Sequence, residues 1–131
     1  MSQHDLLADT DHLIGVVGAT DTPGKYGGII YRDLRARGHR VVAVNPNHSE
    51  VAGDPCYPNL ASLPERPDIV NLVVPARVGR TVVDDWAELG GESVWFQPGA
   101  YDRELRDHAR GLGLDVVAGD CIMVVSRTRA A

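Results

Sequence analysis

The chain has 131 residues, 44% hydrophobic and 24% charged, which suits one ordinary domain burying roughly two-thirds of its unfolded surface. Its 13 Lys and Arg against 18 Asp and Glu leave a formal net charge of −5, arguing against a general nucleic-acid binder, which needs a basic face to displace phosphate counterions. No apolar run approaches the ~20 residues of a membrane span, Met1 to Asp5 lacks the pattern of a signal peptide, and Cys56 and Cys121 stand far apart, so the reading is a cytoplasmic chain with reduced structural thiols, no disulfide framework and no metal site.

The polar first dozen residues are read as peripheral. Leu13 to Val17 forms a short apolar strand that runs into the small-residue loop Gly18-Ala19-Thr20-Asp21-Thr22-Pro23-Gly24-Lys25, then into a helix over 27–37 with Ile30 and Leu34 on one face. Strand, glycine loop and helix in that order build a phosphate site, because amides of the loop and first helical turn have no intrahelical acceptor and the macrodipole is positive there. Lys25 at the helix start opposes that dipole, which an anion contact would explain; Tyr26 serves equally for ligand stacking or loop packing, and Gly18 and Gly27 for tight turning and close packing. A second strand, Arg40 to Val44, ends in the turn Asn45-Pro46-Asn47. Ile69 to Val74 is a third strand, followed by a helix over 77–89, on which Trp86 is core and Asp84-Asp85 a solvated face. Ser93 to Phe96, with Trp95 in the core, is the fourth, followed by a helix over 102–112; Leu114 to Val117 is the fifth; and Ile122 to Val125 is read as a last edge segment before a peripheral tail from Ser126.

This rhythm of short, β-branched strands and amphipathic helices predicts a single α/β domain over residues 1–131, Rossmann-like and three-layered, with a mainly parallel sheet of five or six strands. The loop is not a P-loop: five residues separate Gly18 from Gly24, and Tyr26 stands where a magnesium-binding hydroxyl belongs. Nor is it a GxGxxG fingerprint, and the second strand ends in asparagine rather than the acid that holds a dinucleotide ribose. An NAD(P)-binding redox-sensing or oxidoreductase domain therefore stays as an alternative to a crevice for another adenine nucleotide.

The blocks Gly18-Ala19-Thr20, Lys25-Tyr26, His39 to Pro46, Gly53 to Leu60, Val94 to Gly99 and Gly119 to Ile122, in this order, resemble the small bacterial CoA-binding proteins, single Rossmann domains similar to the CoA-binding domain of the succinyl-CoA synthetase alpha subunit. The resemblance covers about residues 12–126. It implies CoA or an acyl-CoA as ligand, with Gly18, Ala19, Thr20 and Lys25 around the pyrophosphate and Asn45, Pro46 and Asn47 beside the adenosine. It also implies that Val74, Pro75 and Ala76 close the other side, with Gln97 beyond. The chain departs from the family at Asn47, where Lys or Arg is usual, and at Val74, where the standalone members often carry arginine; Arg77 and His48 are the neighbouring groups able to compensate, by a bidentate guanidinium or a protonated ring.

No catalytic residue is assigned: His4, His12, His39, His48 and His108 are dispersed, without a recognisable nucleophile and orienting acid. The expectation is a non-catalytic carrier, sensor or regulatory module with a small nucleotide ligand, bound to neither nucleic acid nor membrane. An interaction subunit with a vestigial crevice is the other alternative.

Overall fold

Five strands form where the short β-branched runs place them, and two more are added by a hairpin that the pattern did not announce. The computed structural model describes residues 1–129, so Ala130 and Ala131, the end of the expected domain and tail, lie outside the described residues. In chain order the elements are α1 (Gln3–Leu6), β1 (Leu13–Val17), α2 (Tyr26–Ala36), β2 (Arg40–Val44), β3 (Glu50–Val51), β4 (Asp54–Tyr57), a single 3₁₀ turn (Leu60–Ser62), β5 (Ile69–Leu72), α3 (Ala76–Glu88), β6 (Ser93–Phe96), α4 (Arg103–Gly111), β7 (Asp115–Ala118) and α5 (Ile122–Arg129). The seven strands form one sheet in the order β3-β4-β2-β1-β5-β6-β7, parallel throughout except for the antiparallel β3–β4 pair. The expected five or six strands therefore become seven.

Side chains alternate between the two faces of the sheet, as the pleat requires. Ile14, Val16, Ile69 and Trp95 join Ile30, Tyr31 and Leu34 of α2 and Ile122 of α5 in one apolar cluster. Val17, Val70, Leu72, Val94 and Phe96 meet Val83 and Trp86 of α3 and Leu105 and Ala109 of α4 in the other. Three layers result, and both tryptophans lie in the core as expected.

Three expectations are corrected. The segment Ile122 to Val125 is not an edge strand but the first half of α5, which buries Ile122 and, one turn later, Ser126. The Gln97 side chain accepts the Ile122 amide at 2.8 Å and so fixes the start of that helix. The tail from Ser126 is not all peripheral, since Ser126 is fully buried against the ring of His39, Oγ to Nε2 2.9 Å. The first dozen residues are not all peripheral either: Leu7 is core, and buried Gln3 donates from Nε2 to the carbonyls of Val94 and Asp115, both at 3.1 Å. Connections β5–α3–β6 and β6–α4–β7 put their helices on one face, so α1 and α5 cover the opposite face beside α2.

β1 lies between β2 and β5. The connections leave it in opposite directions, so the crevice outside the carboxyl ends of these strands is the topological switch point at which open α/β sheets bind ligands.

Candidate functional site

The loop after β1 holds its shape through backbone approaches that only glycine permits. Gly18 has φ +102°, and a Cβ there would lie 2.5 Å from the Val73 carbonyl oxygen. A Cβ on Gly27 would meet the Gly18 carbonyl oxygen at 1.9 Å, so the first turn of α2 is pressed directly onto the loop. Lys25 is the N-cap of α2 and gives no side-chain cap, which leaves the opening amides of Tyr26 and Gly27 without an intrahelical acceptor and turned to the crevice end of the helix. This is a local positive field built from backbone and suited to an anion, beside an exposed ammonium.

Several groups hold the loop. Thr20 Oγ1 accepts the Thr22 amide and meets Thr22 Oγ1 and His48 Nε2, each at 3.1 Å. Asn45 Nδ2 donates to the Ala19 carbonyl at 3.0 Å while its Oδ1 accepts the Asn47 amide at 2.9 Å, which ties the turn after β2 to the loop after β1. Asp21 pairs with Arg32 and accepts the Ala52 amide at 2.9 Å. The β3–β4 hairpin thus anchors the loop from its outer side.

Two lobes open at the carboxyl ends of the strands. The first, about 950 Å³, is lined by Gly18, Thr20, Lys25, Tyr26, Gly27, Asn45, Val74, Pro75 and Gln97 among the expected residues, and further by Val73, Pro98, Ala100 and Cys121. The second, about 960 Å³, takes Gly18, Asn45, Pro46, Asn47, Val74, Pro75 and Arg77 from the expected set, and runs along one face of α3 past Val78, Thr81 and Val82 to Asp85 and Glu88. Gly18, Asn45, Val74 and Pro75 belong to both lobes and form the wall between them. Ala19 and Ala76 line neither: Ala19 is fully buried and offers its carbonyl to Asn45, while Ala76 opens α3 and packs against the second apolar cluster. His48 also stands back from both lobes, on Thr20.

A buried polar chain underlies the first lobe. Asn71, fully buried in the middle of β5, donates to Gln97 Oε1 at 3.2 Å. That oxygen also takes the Ile122 amide, so the Gln97 amide nitrogen is turned to Cys121, where it donates to Sγ at 3.4 Å. Cys121 is half-buried at the crevice, whereas the buried Cys56 thiol has its pKa pushed up by desolvation and lines neither lobe.

Cys121, read from the sequence as a reduced structural thiol, lines the first lobe, and the α3 face beyond Arg77, not read as part of the site, lines the second. The signals were present: Cys121 lies four residues past the fifth predicted strand, at its carboxyl end, and Arg77, Thr81, Asp85 and Glu88 recur at helical spacing. Asp85, expected on a solvated face, is exposed but lines the second lobe, and Asp84 bonds His108 Nε2 at 2.6 Å between α3 and α4. Among the described residues no group of three or more His, Cys, Asp or Glu is placed to hold a metal ion.

Comparison with known proteins bears on this arrangement. A conserved hypothetical protein of Pyrococcus furiosus is 42% identical, with a TM-score of 0.83 over 86% of this chain and 97% of its own. A hypothetical protein of Pyrococcus horikoshii is 31% identical, also with a TM-score of 0.83, over 95% of this chain and 87% of its own. An ADP-forming acetate–CoA ligase of Archaeoglobus fulgidus is 29% identical over 124 residues, and the match takes in 18% of that ligase's length. The chain thus spans less than a fifth of this curated relative. Residues 12–127 match the family described as CoA binding domain, and the chain belongs to that family.

Proposed function

We propose that this chain binds CoA or an acyl-CoA and acts through that binding, as a carrier, sensor or regulatory module, without chemistry of its own. The observation that carries the reading is the pair of lobes sharing one wall at the switch point, in a chain whose family is the CoA binding domain. The residues present suit such a ligand. Gly18, Lys25 and the first amides of α2 offer a cradle for a pyrophosphate. Pro46, Asn47 and the apolar face of α3 offer a slot for an adenosine, and Val74, Pro75 and Gln97 line a track for the pantetheine arm. When bound, CoA supplies a thiol that carries acyl groups.

The neutral Asn45-Pro46-Asn47 turn favours CoA over a nicotinamide dinucleotide, whose ribose hydroxyls call for a carboxylate at the end of β2. Calorimetric titration is expected to give tighter binding of CoA than of NAD. Equal or reversed affinities would overturn the assignment, and native mass spectrometry of protein purified without added ligand should find a pantetheine-containing mass on the chain.

A further inference from the structure

We infer that Arg77 reads a ribose 3′-phosphate and makes this site discriminate CoA from dephospho-CoA; the inference rests on the CoA reading above. Among the described residues, Lys25 is the one Lys or Arg lining the first lobe and Arg77 the one lining the second, and the shared wall of Gly18, Asn45, Val74 and Pro75 stands between them. A ligand spanning both lobes therefore meets two separate cationic points, which suits two separate phosphate groups.

Arg77 is the second residue of α3, where the helix field repels a cation unless an anion is near. One turn on, Arg80 is held by Glu104 Oε1 and His108 Nδ1, each at 3.4 Å. Arg77 is exposed, and among the described residues it has neither an acid nor a carbonyl partner. Arg103 and Arg110 are likewise without such partners but line neither lobe.

Charge along α3 gives the second lobe a direction. Asp85 lies eight residues beyond Arg77, about 12 Å along the axis, and Glu88 lies further on. An anion is drawn to the Arg77 end and repelled from the far end, whose carboxylates accept hydrogen bonds from an exocyclic amine. A nucleotide thus has its phosphate near the start of α3 and its base toward the acids.

Titration calorimetry of CoA and dephospho-CoA against wild type, Arg77→Ala, Arg77→Lys and Lys25→Ala tests the assignment, with circular dichroism checking that each variant is folded. Wild type is expected to prefer CoA by roughly five- to tenfold, the scale of one partly exposed charge-assisted contact. Arg77→Ala should collapse that preference, losing far more affinity for CoA than for dephospho-CoA, and Arg77→Lys should restore part of it. Lys25→Ala should weaken both ligands alike. A preference that survives Arg77→Ala, or a wild type with no preference, overturns the role of Arg77 while leaving CoA binding standing. Binding of neither ligand by wild type overturns the CoA reading itself.

Discussion

At the residue scale, what decides the crevice is how closely backbone approaches backbone. The contact of Gly27 with the Gly18 carbonyl leaves no room for a methyl group, because the opposing atom belongs to the main chain and cannot rotate away. Gly27→Ala is expected to lower stability by about 3 kcal/mol, as overpacking at a rigid contact does, or to push α2 off the loop and lose ligand affinity. Urea denaturation with and without CoA separates these results, and a variant matching wild type in both would show that the contact has slack. Glycines at 18 and 27 were legible in the sequence as a loop and a helix start; that their partners are the Val73 carbonyl and each other was not, since both contacts depend on the packing of β5 and α2 against β1. The same limit applies to Asn71, whose burial beneath Gln97 no spacing rule announces.

At the element scale, the strands β1, β2 and β6 were read to the residue, because they are short apolar runs bounded by glycine, asparagine or proline turn residues between amphipathic helices. The β3–β4 hairpin escaped for physical reasons. β3, the edge strand, has two residues, and Pro55 in β4 lacks an amide to donate, so it reads in sequence as a turn; it is accommodated because the pairing of β4 with β2 begins only at Cys56. Helix α5 escaped because Ile122-Met123-Val124-Val125 is as β-branched as a strand, and tertiary contacts override propensity there. Those contacts include His39, just before β2, whose pKa is lowered first by burial and then by Arg37, despite Asp9 and Asp33 nearby. Folding therefore favours the neutral ring, and the unfolded chain, titrating near about 6.5, binds more protons as pH falls. The His39 contribution is present above about pH 6.5 and is lost as pH falls below it toward the depressed folded pKa. Denaturation from pH 7.5 to 5 should show this decline, and His39→Asn should flatten it. An unchanged slope would assign the decline to other groups.

For the whole molecule, a net charge of −5 means that an anionic ligand is held against the protein's overall field, by local groups alone. That makes the wall shared by the two lobes a determinant of affinity. Gly18, Asn45, Val74 and Pro75 divide the crevice into compartments that abut, with little empty span to bridge, so the site behaves as a two-point chelator. Adenosine 3′,5′-bisphosphate and phosphopantetheine, the halves of CoA, should each bind weakly and without competing. The intact molecule should exceed the stronger half by a large factor, because its second half is delivered at an effective concentration of the order of millimolar or above. Competition calorimetry measures this, and mutual exclusion of the halves would mean that one lobe alone takes the ligand. A change that thickens the wall, such as Val74→Phe, would then act as an insulator, lowering affinity for the joined molecule while sparing its fragments.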